Sequence, residues 1–293
     1  MDSHGGYMAR LLLDLFVHKN VVKLNREWKL SDKLKKYLKC VENLPEYSDL
    51  PDDNPYPNKI WTMWLQGYDA APPIVKACIN SIKKYSDGRE VIILTEDNLS
   101  KYVKLPDFIE EKYKKGFITR THYSDLVRLE LLKCYGGTWI DSTIYCVNSL
   151  GEYTSDPFVI TINRITDRPL NITSYYIHSE RNNYLIKCIQ ECLYDYWRHN
   201  NKLVEYFLLH FFHFLLVNYN QKCKEIWQKV PFRLNQTSKL LRIESYKEYN
   251  QKQIDYILSL SPIHKFSYKD DFSNLPKNCL FNKIVAPYIN EDK

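Results

Sequence analysis

The stretch that decides the fold runs from Thr119 to Leu150 and reads TRTHYSDLVRLELLKCYGGTWIDSTIYCVNSL. Its first half is predicted to be a helix, which Gly136 and Gly137 bring to a stop. These glycines also allow one backbone to approach another closely. Asp125 and Arg128 are three residues apart, so they share one face of that helix.

A short strand is predicted directly after the two glycines, ending in Trp-Ile-Asp-Ser-Thr. Alternation along the strand sends Trp139, Asp141 and Thr143 to the same side. With Asp125 and Arg128 they are predicted to converge beyond the end of a strand, where α/β sheets bind ligands. A cluster of this composition suits a sugar nucleotide.

Bulk composition bounds the class of protein. The 293 residues are 44% hydrophobic and 26% charged, which is ordinary for a soluble globular protein with one substantial core. The net charge of +6 favours an anionic small substrate or an anionic membrane surface, and no nucleic-acid-binding pattern is present. Eight cysteines without a CxxC pair, and without a preceding signal peptide, predict reduced thiols in a cytoplasmic protein.

The first 57 residues are predicted to form a basic helical extension, and residues 58–293 a single catalytic domain, with turn formers at 51–58 between them. Leu11, Leu12, Leu15 and Phe16 recur at helical spacing and are followed by eight basic side chains up to Lys39. Two interpretations stay open for this helix. One is a peripheral contact with the inner face of the cell membrane, and the other is a helix packed on the domain with a solvated basic face.

Within the catalytic domain the pattern alternates between strands and helices, which predicts parallel strand pairing. Strands are expected at Lys59–Leu65, Glu90–Leu94, Thr138–Cys146, Phe158–Asn163 and Ile263–Tyr268. The main helices are expected at Pro72–Tyr85, Thr119–Tyr135, Asn182–Trp197, Leu203–Asn218 and Lys222–Lys229. Beyond Asn163 the pattern is mainly helical.

Four segments carry a resemblance to a known family: NKIWTMWLQG, SDLVRLELLKCYGGTWIDST, EYFLLHFF and SPIHKFSYK. In this order they resemble the capsular polysaccharide synthesis family, GT-A-type glycosyltransferases with DxD motifs that are similar to glycosyltransferase family 32. The resemblance implies a GT-A (Rossmann-like) α/β fold with a mixed, mostly parallel sheet and a helical C-terminal part. It also implies a retaining enzyme that transfers a hexose, galactose or glucose, from a UDP-sugar to a lipid-linked glycan.

The same resemblance implies a Mn²⁺ or Mg²⁺ site. Asp141 is the first expected ligand, because a carboxylate at a strand end can face both sugar hydroxyls and a cation bridging the diphosphate. The family often has a second acid two positions on, but this chain has Thr143 there, which is expected to offer the metal only a neutral oxygen. His264 is the expected replacement ligand, the alternative being a strand histidine that only forms hydrogen bonds.

The remaining site residues each have an alternative interpretation. Asp125 and Arg128 either contact the donor sugar or form an ordinary ion pair within a helix. Lys265 is expected to neutralise the leaving diphosphate, unless it is a solvated lysine.

The aromatic candidates follow from the resemblance as well. Trp64 matches an aromatic residue that stacks on uracil, and Trp139 belongs to the same substrate-binding group. Glu205 and Tyr206 match a position near the sugar, although a glutamate in a first helical turn is favourable in any case.

Two other classes compete with a transferase. One is a sugar-nucleotide-binding or scaffolding homologue that has lost catalysis, which the Thr143 departure favours. The other is a nucleotide-sugar hydrolase or phosphotransferase that uses the same pocket. Among transferase mechanisms, same-face attack is favoured over a carboxylate nucleophile because Asp125 and Asp141 already have binding roles.

Overall fold

The computed structural model describes residues 3–46, 50, 53–55, 58–162 and 170–289, and for residues 3–17 and 19 the backbone alone. Within these ranges the strands are β1 Ile60–Met63, β2 Val91–Leu94, β3 Gly137–Ile140, β4 Ile144–Cys146, β5 Phe158–Ile162, β6 Ile172–Ser179 and β7 Ile263–Lys265. The α-helices are α1 Ser3–Leu34, α2 Pro73–Lys84, α3 Leu99–Tyr102, α4 Asp107–Lys114, α5 Arg120–Tyr135, α6 Tyr184–His199, α7 Leu208–Tyr219, α8 Gln221–Gln228, α9 Leu240–Ser245, α10 Gln251–Ser259 and α11 Leu280–Val285. Short 3-10 helices lie at Lys35–Val41, Gly151–Tyr153, Gln236–Lys239 and Ala286–Tyr288.

The main sheet has five strands in the order β2-β1-β3-β6-β5. Strand β1 is parallel to both β2 and β3, whereas β6 is antiparallel to β3 and to β5. Four strands therefore run in one direction and β6 runs against them. The predicted α/β fold with a mixed, mostly parallel sheet and a helical C-terminal part is confirmed.

Strand β6 is absent from the sequence-based prediction, which expected mainly helices after Asn163. It pairs on both sides, and its burial does not alternate, because Ile172, Thr173, Tyr176 and Ile177 are all buried. A strand buried on both faces loses the period of two that identifies strands in a sequence. Asn163, the last residue of the strand predicted before it, lies outside the described residues.

The strand predicted at Thr138–Cys146 is wrong as one element. Strand β3 ends at Ile140, a turn closes when Ile144 N donates to the Asp141 carbonyl at 2.9 Å, and β4 then pairs antiparallel with β7 in a separate two-stranded sheet. Asp141 and Thr143 therefore sit in a turn between two sheets, and the turn rather than strand alternation brings them to one place.

Helix α7 also starts later than predicted, at Leu208 instead of Leu203.

Helix α1 is attached to the protein by one buried face, which consists of Glu27, Ser31 and Leu34. Tyr37 and Val41 of the following 3-10 helix continue this buried face into the main core. The side chains of Leu11 to Phe16, and half of the predicted linker at 51–58 (residues 51, 52, 56 and 57), lie outside the described residues. Across the described residues, no helix is long and apolar enough to cross a membrane.

Candidate active site

The α5–β3 junction sets the geometry of the site. Helix α5 is capped by Thr119, whose side chain accepts from His122 N at 3.3 Å, and it ends at Gly136 with φ of 69°. Gly137 follows with φ of 89°, and a Cβ added there would meet the Lys59 carbonyl oxygen at 2.3 Å. Glycine is required at this position on both counts, because the backbones of β3 and of the chain entering β1 touch.

Arg128 is the centre of the cluster, and its side chain is only 4% exposed. One terminal nitrogen lies 2.9 Å from Asp125 Oδ1 and donates to the Ser174 carbonyl at 2.7 Å. The other lies 3.2 Å from Asp141 Oδ1. The planar guanidinium thus joins helix α5 to β6 and to the turn after β3, which a point-charge ammonium cannot do.

Asp141 is held on both carboxylate oxygens. Oδ1 accepts from Trp139 Nε1 at 2.8 Å in addition to Arg128, and Oδ2 accepts from Lys265 Nζ at 2.8 Å. Burial alone opposes its ionisation, but Lys265 and then Arg128 outweigh burial and lower the pKa of Asp141 to about 2. The Asp141 side chain is therefore ionised at neutral pH.

The second carboxyl of the cluster behaves differently. Burial raises the pKa of Asp125 to about 6, although Arg128 acts in the opposite direction. Two neighbouring carboxyls whose environments separate their pKa values are typical of a functional site, because one can stay charged while the other exchanges a proton near neutrality.

Lys265 is the non-local member of the cluster. Its ammonium donates to Asp141 Oδ2 and, at 2.6 Å, to Thr143 Oγ1. Antiparallel pairing of Ile144 with Lys265, and a bond from Phe266 N to the Thr143 carbonyl at 2.8 Å, fix the strand from which it projects. The structure thus places Lys265 beside Asp141 and Thr143, and its role toward a substrate stays a prediction.

The proposed metal ligands do not fit a cation as they are arranged. Lys265 already lies between Asp141 and Thr143, and His264 is its neighbour on β7, so alternation directs the imidazole to the opposite side. His264 is fully buried, neither ring nitrogen has a hydrogen-bond partner, and burial lowers its pKa to about 4. The described part of the chain holds no group of three or more His, Cys, Asp or Glu that could bind a metal.

The other predicted substrate residues make contacts outside this cluster. Trp64 follows β1 directly and meets Tyr268 edge-on, with ring centroids 5.1 Å apart. Glu205 precedes α7 instead of starting it, and its carboxylate lies 3.3 Å from Arg26 of α1. Tyr206 is 57% exposed. Their roles in substrate binding stay predictions.

Two histidines beside Arg128 were missed by the sequence analysis. His122 and His210 are buried, and burial, followed by the charge of Arg128, lowers the pKa of each to about 3. His122 Nε2, His210 Nδ1 and Arg128 Nε are buried without a hydrogen-bond partner. The spacing of His122, three residues before Asp125 on the same helix, is the signal that points to it.

A cavity of about 430 Å³ opens at the same edge of the sheet. Its lining includes Leu65 and Glu96, which follow β1 and β2, and Tyr123 of α5, but none of the charged residues of the cluster. The carboxyl ends of parallel strands are where α/β proteins bind nucleotides, and a cavity of this size suits a small-molecule ligand.

These features define an α/β protein with a buried cluster of charged side chains at the carboxyl edge of its sheet. The chain belongs to the capsular polysaccharide synthesis protein family, which residues 14–284 match. The family assignment made from the four sequence segments is thereby confirmed.

The individual relatives share less than a third of their residues with this chain over the aligned part. An uncharacterized glycosyltransferase of Acanthamoeba polyphaga mimivirus is 25% identical over 131 residues, covering 43% of this chain and 51% of the relative. The O-glycosyltransferase braB of Annulohypoxylon truncatum is 29% identical over 159 residues, covering 47% of this chain and 37% of the relative. The chain therefore spans about half or less of these relatives. The solved structure of the PaToxG glycosyltransferase aligns over 72% of this chain and 85% of its own, with 16% identity and a TM-score of 0.37.

Proposed function

We propose that this protein is a glycosyltransferase that moves a hexose from a UDP-sugar to a lipid-linked glycan in capsular polysaccharide synthesis. The observation that carries the proposal is the Asp125–Arg128–Asp141 cluster at the carboxyl edge of the sheet. The buried guanidinium has an Nε–H without a hydrogen-bond partner and lies next to an ionised carboxylate. Once Lys265 or Arg128 redirects a bond, the pair can offer donors and acceptors to sugar hydroxyls and to a phosphate. The family membership and the names of the relatives support the same class of reaction.

In this reaction the bond between the anomeric carbon and the diphosphate oxygen breaks, and its electron pair stays on the diphosphate. The acceptor hydroxyl oxygen forms the new bond to the same carbon. For retention we favour same-face attack, with the acceptor proton passing to the departing phosphate. Both site carboxylates are engaged by cations, Asp141 by Lys265 and Arg128 and Asp125 by Arg128, so neither is placed as a free nucleophile.

The second candidate is a homologue that binds a sugar nucleotide without transferring it. The observation that favours it is the closed arrangement of Asp141, which has no oxygen without a partner. A catalytic role for Asp141 requires Lys265 or Arg128 to redirect at least one bond toward the substrate. Release of nucleotide from a donor separates the two candidates.

A lipid-linked acceptor is consistent with the outer face of α1, where we propose a peripheral membrane contact. Val21 and Val22 are 57% and 54% exposed, and Lys23 and Lys29 are exposed beside them. Apolar and basic side chains together favour adsorption to an anionic bilayer. Sedimentation of the protein with anionic and with neutral vesicles tests this contact. We expect the protein to sediment with the anionic vesicles alone.

The test of the function is a screen of UDP- and GDP-hexoses for nucleotide release, with and without a lipid-linked oligosaccharide. One donor is expected to release nucleotide, faster with acceptor, and Asp141→Asn is expected to lose at least about 90% of kcat/KM, a loss of about 1.4 kcal/mol or more. Asp255→Asn, an exposed carboxylate on α10, is the matched control. Nucleotide binding without release by the unmodified chain identifies the non-catalytic homologue instead.

A further inference from the structure

The Lys265 ammonium lies between Asp141 and Thr143, the two residues that the sequence resemblance leads us to expect beside a divalent cation. A metal at this turn would use Asp141 and the residue two positions on as oxygen ligands. Here both oxygens already accept from one ammonium, Asp141 Oδ2 at 2.8 Å and Thr143 Oγ1 at 2.6 Å. Threonine is compatible with this arrangement because a lysine needs only acceptors, whereas a second carboxylate would better suit a divalent ion.

The local charges also disfavour a metal. Asp141 already faces two cations, Lys265 and Arg128. A divalent ion would have to displace the Lys265 ammonium while keeping only one carboxylate ligand. His264, the other expected ligand, extends from the opposite side of β7 and is fully buried.

The ammonium is held in place before any ligand arrives. Lys265 belongs to β7, which pairs with β4 across the turn, and its Nζ lies 5.5 Å from the centroid of the Tyr175 ring. The side chain is 21% exposed, so the ammonium is supported by protein yet reachable from solvent. A preorganised cation of this kind stabilises negative charge that grows on a leaving group.

We propose, resting on the function proposed above, that the Lys265 ammonium takes the role of the divalent cation and binds the donor diphosphate. Binding redirects part of its hydrogen bonding from Asp141 and Thr143 to phosphate oxygens. The chain then binds a nucleoside diphosphate without divalent metal. Thr143 favours the lysine over a metal, because its neutral hydroxyl accepts from the ammonium but is a weaker ligand than a carboxylate for a divalent ion.

Calorimetric titration with UDP, and with GDP for comparison, tests this on the full chain. We expect the affinity for the preferred nucleotide to agree within about twofold in EDTA and in excess Mn²⁺. Lys265→Met is expected to weaken binding at least tenfold in both buffers, Lys265→Arg to recover part of it, and Lys269→Met, an exposed lysine on the same segment, to leave it unchanged. A loss of about tenfold is the size expected for one charged contact to a diphosphate.

The double variant Thr143→Asp with Lys265→Ala restores two acids and removes the ammonium. We expect it to bind UDP or GDP only when Mn²⁺ is present. The comparison of EDTA with Mn²⁺ in the unmodified chain needs no variant, so the inference stays testable if a substitution impairs folding.

The outcomes separate the two proposals. If the unmodified chain binds nucleotide only with Mn²⁺, the role of Lys265 is overturned and the proposed transferase stands. If neither UDP nor GDP binds in either buffer, the proposed donor class fails together with the inference.

Discussion

Gly137 and Lys59 touch through their backbones, and a Cβ on Gly137 would lie 2.3 Å from the Lys59 carbonyl oxygen. This contact is where β3 meets the chain that enters β1, since Thr138 N donates to the same carbonyl at 2.9 Å. The carboxyl end of β3, with Asp141, is positioned by this pairing.

Gly137→Ala is therefore expected to destabilise the fold by at least about 3 kcal/mol, because strain at positive φ and a backbone clash add together. Gly116 is the matched control, because its φ is 77° but nothing lies within 4 Å of an added Cβ. Gly116→Ala should cost only the conformational strain, about 1–2 kcal/mol. Urea unfolding followed by circular dichroism measures the unfolding free energy of both variants. Equal losses in the two variants would contradict the backbone clash at Gly137.

Arg128→Lys keeps the charge but cannot reach Asp125, Asp141 and the Ser174 carbonyl together. We expect kcat/KM for the donor to fall about 100-fold or more, and stability to fall by about 3 kcal/mol, as for other broken buried ion pairs. Arg198 and Asp195 form the matched pair, with the same spacing but an Arg side chain that is 47% exposed and a separation of 3.9 Å. Arg198→Lys should change neither quantity measurably, and a near-normal Arg128→Lys enzyme would reduce that residue to a packing role.

Four buried histidines, His122, His210, His213 and His264, predict that acid sensitivity begins near pH 6.5. Burial lowers the pKa of the first three to about 3 and that of His264 to about 4. Below about pH 6.5 the unfolded histidines bind protons that the folded ones do not, so stability is lost as pH falls toward 4. Asp125, whose pKa burial raises to about 6, opposes this loss with the share of a single proton. Each histidine contributes up to about 1.4 kcal/mol per pH unit in that window.

The variant His213→Leu should reduce the dependence of the unfolding free energy on pH by the contribution of one histidine. This holds whatever the effect of the substitution on stability at pH 7. His213 is fully buried, with both ring nitrogens lacking hydrogen-bond partners. His199→Gln, an exposed position at the end of α6, is the control and should leave the slope unchanged. Urea unfolding at several pH values between 4.5 and 7.5 gives the slopes, and an unchanged slope in His213→Leu would exclude His213 as a neutral buried imidazole.

Trp64→Ala tests the predicted stacking on the base of the donor. Stacking acts equally on bound substrate and transition state, so KM should rise by about tenfold or more while kcat stays within a few-fold. Trp28→Ala is a suitable control, since that indole packs against Phe214 on the helical side, with ring centroids 5.6 Å apart. A loss confined to kcat would rule out stacking as the role of Trp64.

The sequence was sufficient where the determinants are local. Helix α5, the two glycines and the Asp125–Arg128 spacing all lie within one segment, and the structure has them as expected. Strand β6 was not predicted, because it is buried on both faces and its sequence shows no alternation of apolar and polar residues. Its Ser174 carbonyl is a partner of Arg128 that no side-chain pattern could reveal.

The choice between His264 and Lys265 shows a second limit. Both residues were predicted for the site from one segment, yet neighbouring residues of a strand face opposite sides. Which of the two faces Asp141 depends on the register of β7 against β4, and that register is set by tertiary pairing. Spacing along the chain contains no information about it.

Lys265 is separated from Asp141 by 124 residues, and this distance governs when the site comes into existence during synthesis. The chain emerges from the ribosome in order, so Asp141 and Arg128 are made long before β7 can dock. Until then Asp141 lacks its second cation and the turn lacks the strand that closes it. A product that stops before β7 therefore lacks Lys265 and the strand that closes the turn, so it cannot form the complete site.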